Sequence, residues 1–422
     1  MKLFVMSSSE LSGEVKAPPS KSYTIRAVTA ALLADGVSII KDPLYSEDTR
    51  ACIMISKSLG AVIKKTDDSL RISGVVGLPK RPSVVLNALN SGTTIRIMTA
   101  VSSLCGESVT LTGDKSIQKR PIEPMLMALR QLGVNAVSKN GYPPVTVEGP
   151  LVGGMCTMRG DISSQFVSAL LMALPCAKRN SEINIIGELR SKPYVDMTLD
   201  VMGRFKVVVK PENHVRYIIQ GDQTYRATTY TVEGDYSSAA FLLGAAALTD
   251  SSVTVKNLFR TSKQADKMFI SMLKQMGVKV YVGENYTTVQ GNGRLKGIDV
   301  DLSDSPDLLP ITAVLGAFAE GRTRIYNVAH ARLKECDRIK AMYTELRKMG
   351  ASITENPDGL DIQGGQLNGA LLEGWKDHRI VMALAIAGLK AEGKTEITDR
   401  ESIDVTFPNF ISLMKTLGAN MR

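Results

Sequence analysis

Three basic turns in this chain combine side-chain types that grip oxyanions. In Pro18-Pro19-Ser20-Lys21-Ser22-Tyr23-Thr24-Ile25-Arg26 a proline pair stops a strand and a hydroxyl-rich segment opens a helix. Free backbone N–H groups at such a helix start attract negative charge, and Lys21 and Arg26 add two cations. A capping turn alone would need the serines but not both cations. Asn90-Ser91-Gly92-Thr93-Thr94-Ile95-Arg96 repeats the theme, with a glycine that lets backbone amides approach a ligand closely. An ordinary helix N-terminus is its bland alternative. Lys119-Arg120-Pro121-Ile122 is expected to begin a further helix, with Pro121 in the first turn, after a polar loop, residues 113–120, long enough to move.

The remaining turns supply neutral hydrogen-bonding groups and acids. Asp161-Ile162-Ser163-Ser164-Gln165-Phe166 sets three polar side chains before an apolar run, a pattern that also serves as a simple cap. Glu233-Gly234-Asp235-Tyr236-Ser237-Ser238 has the same shape without cations and reads as structural. Asp307 stands before Leu308-Leu309-Pro310, where a lone acid is ordinarily a helix cap. In Arg332-Leu333-Lys334-Glu335-Cys336-Asp337-Arg338, Lys334 and Arg338 fall at i and i+4 on one helix face beside Glu335; a solvated charge face is the alternative. Asp377-His378-Arg379 puts a cation at a helix start, where the macrodipole disfavours it unless an anion lies between. That mismatch argues for a ligand.

Such turns lie far apart in the chain, so a scaffold must gather them, and repetition provides one. Six amphipathic runs end in a Leu-Gly or Met-Gly step, at Leu59, Leu132, Met202, Met276, Met349 and Leu417, spaced 68 to 74 residues apart. An even period marks one supersecondary unit copied along the chain. Met268, Ile270, Met272, Leu273 and Met276 trace the helical stripe, and Gly277 sits where a helix ends. Val278-Lys279-Val280-Tyr281-Val282 then alternates like a strand, and a second strand follows, as in Thr288-Val289-Gln290-Gly291. Small-residue stretches at 239–248, 311–319 and 380–389 fit buried inner helices, each well short of the roughly 20 residues a membrane span needs. The expected fold is α/β: two similar lobes, each of three repeated βαβαββ units with buried inner helices. We place the boundary near Glu233, giving lobes of residues 16–232 and of residues 1–15 plus 233–422, the second closed by an N-terminal strand within residues 3–16.

A chain of 422 residues suggests two or three domains. Its net charge of +9, from 51 Lys plus Arg against 42 Asp plus Glu, suits an anionic metabolite, although an evenly basic surface explains it equally well. No run of five like charges occurs, and aromatics at 5% are too few for base-stacking platforms, so nucleic acid is disfavoured. Cys52, Cys105, Cys156, Cys176 and Cys336 are scattered, and three histidines are too dispersed for an obvious metal site, so buried thiols in a reducing compartment are expected. Residues 1–12 hold too short an apolar run for a signal peptide, so a cytoplasmic location is the expectation. A monomer with no membrane attachment is expected as well.

Together with the repeat, the motifs PPSKSYTIRA, NSGTTIRI, KRPIEPM, DISSQF, SKPYVD, RLKECDR and DHRIVMALA resemble the 5-enolpyruvylshikimate-3-phosphate synthase family, in order from residue 18 to residue 379. The resemblance implies lobes of the inside-out α/β barrel type, an active site in the cleft between them, and no metal or organic cofactor. It implies transfer of the enolpyruvyl group of phosphoenolpyruvate to the 5-hydroxyl of shikimate 3-phosphate, with release of phosphate. Two monophosphates and two carboxylates bring roughly five to six negative charges. Against them stand Lys21, Arg26, Arg120, Lys334, Arg338 and Arg379.

By position, Lys21, Ser22, Arg26, Ser163, Ser164, Gln165, Ser191, Asp307 and Lys334 would hold shikimate 3-phosphate. Lys21, Asn90, Gly92, Arg120, Gln165, Arg338 and Arg379 would hold phosphoenolpyruvate, the arginines suiting carboxylate and phosphate oxygens by their planar fork. Tyr194, His330 and His378 are further contacts. For catalysis the resemblance implies Asp307 as base toward the 5-hydroxyl, Glu335 as proton donor to the methylene carbon, and Lys21 sharing proton transfer.

One position departs from the family pattern. Val405 precedes Thr406-Phe407-Pro408 where many members have a lysine, so that cation is missing or comes from elsewhere. The nearest rival, an enolpyruvyl transferase acting on UDP-N-acetylglucosamine, typically carries a cysteine in its mobile loop, and residues 113–120 contain none. A nucleic-acid-binding repeat protein is the alternative from another class, and steep salt dependence would mark it.

Overall fold

The computed structural model describes residues 1–7 and 10–422, in two compact units: Pro19–Val232, and Met1–Pro18 with Glu233–Arg422. The repeat is plainest in Leu86–Asn87, Gly92–Ser102, Ser108–Thr112, Glu123–Gln131, Asn135–Lys139 and Tyr142–Glu148. These are a short strand, an inner helix, a strand parallel to the first, an outer helix and an antiparallel pair. The sheet runs Leu86–Asn87, Ser108–Thr112, Tyr142–Glu148, Asn135–Lys139. Two further sheets of that kind complete the 19–232 unit, and Thr229–Thr231 returns to pair in parallel with Val37–Lys41 and finish its first repeat.

Inner helices form where the sequence has no solvent face to offer. All thirteen residues of Tyr236–Leu248 are buried, and a helix that is almost entirely apolar or small can only be a core element. All eleven residues of Gly92–Ser102 are buried too, Arg96 among them. In the 233–422 unit, Tyr236–Leu248, Leu309–Phe318 and His378–Lys390 pack on one another. Gly244 sets one crossing: a Cβ there would lie 3.0 Å from Cγ1 and Cδ1 of Ile311. These helices match the expected small-residue stretches. None is long and apolar enough to cross a membrane among the described residues.

The expected terminal strand, residues 3–16, is instead two strands in different sheets, and Ser8 and Ser9 lie outside the described residues. Ser12–Lys16 pairs in parallel with Ser252–Lys256. Leu3–Met6 pairs antiparallel with Lys394–Ile397, in the place where other repeats put a hairpin strand of their own. After the outer helix Phe410–Thr416 of the last repeat, Asn420 and Arg422 bond through their backbones to Met6 and Phe4.

Five of the six Leu-Gly or Met-Gly steps end a helix, at Leu59, Leu132, Met276, Met349 and Leu417. The glycine after each takes a φ between 87° and 107°, a left-handed cap that a side chain would disfavour. The sixth differs: Met202-Gly203 lies inside Lys192–Arg204, which ends at Phe205, and Lys206 takes the left-handed turn at φ 66°. Pro121 also falls outside its expected helix, which begins at Glu123 with Pro124 in the first turn.

Candidate active site

In the 19–232 unit the inner-helix starts carry two clusters. Ser20 caps Lys21–Leu33, its Oγ accepting from the Tyr23 N–H at 3.4 Å, so Lys21 stands first in the helix. The Lys21 Nζ lies 3.1 Å from Oδ2 of Asp48, a buried acid that sequence reasoning missed. In the sequence Glu47-Asp48 reads only as negative charge favouring the start of Glu47–Ser58.

Arg26 is more deeply placed than a ligand contact requires. At 1% exposure, its Nε donates to Thr198 Oγ1 at 2.8 Å and its Nη1 to the Ser22 carbonyl at 3.1 Å. Its Nη2 donates to the Tyr194 carbonyl at 3.0 Å and to Ser168 Oγ at 3.4 Å. Burial among neutral oxygens pulls its guanidinium down to about 10. Arg26 therefore ties Lys21–Leu33 to Ser164–Ala173 and Lys192–Arg204. Ser191, just before the last of these, is held at φ 56°, an uncommon conformation for a residue with a Cβ.

The second cluster gathers over Gly92. A Cβ there would lie 2.8 Å from Nη1 of Arg120, 3.0 Å from Nη1 of Arg96 and 3.7 Å from Oε1 of Gln165, so glycine leaves the space in which two guanidinium groups and a carboxamide meet. Arg96 Nη1 donates to Gln165 Oε1 at 2.5 Å, and Gln165 Nε2 to Thr93 Oγ1 at 3.2 Å. Arg120 Nη2 donates to Asn90 Oδ1 at 3.2 Å and to Ser116 Oγ at 3.1 Å. Arg96 had no expected role; its i+4 spacing from Gly92 is the signal that would have placed it on the same helix face. Ser163 caps the helix that carries Ser164 and Gln165.

The 113–120 loop is more tightly built than its polar sequence suggests. Asp114 accepts from Asn90 Nδ2 at 2.7 Å and from the N–H groups of Ser116 and Ile117 at 2.9 Å, while Ile117 is buried.

In the 233–422 unit the acids and bases converge on Asp307, in the turn Pro306–Leu308 that opens Leu309–Phe318. Its Oδ1 lies 2.7 Å from Arg338 Nη1 and 3.7 Å from Lys334 Nζ, and its Oδ2 lies 3.0 Å from Arg379 Nη2. Arg338, 1% exposed, also donates from Nε to Asp377 Oδ2 and from Nη2 to Glu335 Oε2, each at 2.7 Å. Burial alone would lower its pKa, but the charges of Asp377, Glu335 and Asp307 together raise it well above the ordinary arginine value. Burial pushes the Asp377 carboxyl up, yet Arg338 holds it below the usual range. Burial pulls the Lys334 ammonium down against the attraction of Asp307.

Two expectations change here. Lys334 and Arg338 do not share a helix face, because Asp337 caps a helix that begins at Arg338 and leaves Lys334 in the preceding turn; both reach Asp307 all the same. At Arg379 an internal carboxylate, Asp307, meets the cation that had suggested a ligand, while Asp377 caps the helix by accepting from the Arg379 N–H at 2.8 Å. His378 is buried, with Nδ1 3.8 Å from Asp377 Oδ1, and His330 lies in the turn Ala329–Leu333. Val405 ends the turn Arg400–Val405 against the His378–Lys390 helix.

Arg338 is thus shared among three carboxylates, those of Asp307, Glu335 and Asp377. The family model of EPSP synthase (3-phosphoshikimate 1-carboxyvinyltransferase) matches residues 5–414. The 3-phosphoshikimate 1-carboxyvinyltransferase of Methanocaldococcus jannaschii is 48% identical over 427 residues, covering 99% of each chain. That of Methanococcoides burtonii is 47% identical over 414 residues, covering 97% of this chain and 96% of its own. A solved EPSP synthase from Acinetobacter baumannii has a TM-score of 0.84 at 27% identity, covering 100% of this chain and 99% of its own. These matches support the first family resemblance and neither alternative. The chain belongs to the EPSP synthase (3-phosphoshikimate 1-carboxyvinyltransferase) family.

Proposed function

We propose that this chain transfers the enolpyruvyl group of phosphoenolpyruvate to the 5-hydroxyl of shikimate 3-phosphate, releasing phosphate. The observation that carries the proposal is Asp307, a carboxylate held by Lys334, Arg338 and Arg379. Each cation would bind a carboxylate or phosphate of the substrates as readily, and a bidentate fork favours such oxyanions.

In this proposal Lys21, Arg338, Arg379, Arg120, Gln165, Asn90 and the space over Gly92 hold phosphoenolpyruvate. Lys21, Ser22, Arg26, Ser163, Ser164, Gln165, Ser191, Asp307 and Lys334 hold shikimate 3-phosphate, with Tyr194, His330 and His378 as further contacts. Phosphoenolpyruvate draws the arginines away from Asp307 and Glu335, and a carboxylate that loses a cationic partner binds a proton more strongly. Asp307 then takes the proton of the 5-hydroxyl as its oxygen attacks the central carbon, while Glu335, with Lys21 sharing the transfer, protonates the methylene carbon. The tetrahedral intermediate then expels phosphate, which takes the proton held by Asp307, and gives a methyl proton back to Glu335, regenerating the double bond. Holding both substrates in register makes the attack effectively unimolecular, which removes several kcal/mol of association cost. The proposal includes a cytoplasmic monomer working without a cofactor.

A phosphate-release assay tests it. Release should require both substrates together; no release with the pair, or release with UDP-N-acetylglucosamine in place of shikimate 3-phosphate, would overturn the assignment.

A further inference from the structure

Asp266 is a buried acid that the mechanism above does not use. It lies in the turn Ala265–Met268, 1% exposed, and its Oδ2 accepts a short hydrogen bond from Ser237 Oγ at the start of Tyr236–Leu248. Its Oδ1 is fully buried with no hydrogen-bond partner among the described residues. The turn holding Asp307 packs against the same helix. An ionised carboxylate with one oxygen unsatisfied in the interior is costly, whereas the neutral acid is far less so.

Charges around it sharpen that preference. Asp307, Glu335 and Asp377 already match Lys334, Arg338 and Arg379 one for one, so an ionised Asp266 would be a fourth negative charge without its own cation. Asp235, which caps the same helix, adds another negative charge nearby, and Arg379 is the cation facing the group. Lys267 is engaged elsewhere, with Nζ 2.9 Å from the carbonyls of Arg260 and Ser262. Glu233 accepts from Ser262 and Gln264.

We infer that Asp266 is a positioning residue for Asp307, holding a proton behind the base and, by gaining or losing it, setting how strongly Asp307 binds a proton. This rests on the role proposed for Asp307. Burial first, and the Asp307 charge second, push the Asp266 carboxyl up to about 7, so both of its forms are populated near neutrality. When Asp266 is ionised, its charge makes Asp307 the stronger base; when it is protonated, Asp307 releases its proton more easily.

The test is carboxyl 13C NMR on the full chain labelled at aspartate, with phosphate release measured across pH in parallel. Wild type should show one aspartate titrating between about pH 6 and 8. In Asp266→Asn that titration should vanish, and in Asp307→Asn it should move lower by about one pH unit, because the neighbouring negative charge is gone. The rise of kcat through the same window should flatten in the variant, with both KM values within about twofold. An Asp266 midpoint unmoved in Asp307→Asn, or a kcat profile of Asp266→Asn superimposable on wild type, would overturn the inference, as would the absence of any aspartate titrating between pH 6 and 8. Should Asp266→Asn not fold, Ser237→Ala removes the hydroxyl that favours the ionised form and must move the titration upward; an unchanged midpoint overturns the inference. Failure of the enzymatic proposal would appear separately, as wild type releasing no phosphate at any pH while the carboxyl titrations still read the coupling.

Discussion

Arg338 donates to Asp307 at 2.7 Å from a position that is 1% exposed, so the acid proposed as base is also one of the counter-charges of a buried cation. Asp307→Asn separates the two roles. It removes the base, and kcat should fall about 10²- to 10⁴-fold. It also leaves Arg338 with Asp377 and Glu335 and frees Arg379 from its carboxylate, so the KM for phosphoenolpyruvate should fall or stay level while shikimate 3-phosphate binding persists. Steady-state kinetics with both substrates read this split, and near-normal kcat would remove the base role.

Gly92→Ala tests the second cluster. The three atoms nearest the new methyl group would be the ends of the Arg120, Arg96 and Gln165 side chains, which can shift without moving backbone. The fold should therefore survive with a stability loss of about 1 kcal/mol, while the phosphoenolpyruvate pocket narrows. Glyphosate-like competitors should weaken more than substrate, and an unchanged inhibition constant would count against placing phosphoenolpyruvate over Gly92.

What the sequence made legible follows from the range of the interactions. Inner helices such as 239–248 announce themselves because every position is small or apolar, and the caps at Ser20, Ser163 and Asp377 lie within three residues of the amides they satisfy. Asp48 and Asp266 carry no such local pattern. Their meaning comes from Lys21 and Ser237, 27 and 29 residues away, and no periodicity records a contact of that range. The same distance explains Arg379: its local mismatch was legible, but its partner Asp307 is 72 residues earlier. Met202-Gly203 misled for a different reason, since the helix runs past that glycine to Arg204 and ends at a lysine in the left-handed conformation.

Arg26 should behave as a structural tie before it behaves as a ligand contact. Arg26→Ala deletes a fully buried side chain and leaves the carbonyls of Ser22 and Tyr194 without that donor, a loss of about 3 kcal/mol or more. For a unit of this size that corresponds to a fall in Tm of roughly 6 °C or more. Thermal unfolding measures it. A raised KM for shikimate 3-phosphate with no change in Tm would assign Arg26 to substrate binding alone.

Stability against pH gives a last, independent reading of Asp266. Its folded-state pKa of about 7 lies above the ordinary aspartate value of 3.8, so folding favours the protonated form. The stabilisation is complete below pH 4 and is lost as pH rises through 7, opposite in sign to an ion-paired acid. Asp266→Asn cannot ionise and should not lose it. Relative to wild type the variant should gain stability between about pH 4.5 and 8, by at most about 4 kcal/mol, since three pKa units set the ceiling and Arg379 offsets part of it. Thermal unfolding of both proteins at several pH values measures the difference. A constant gap across that range would mean that Asp266 is ionised throughout, in which case Arg379 rather than Asp307 governs its charge and the proton must be stored elsewhere.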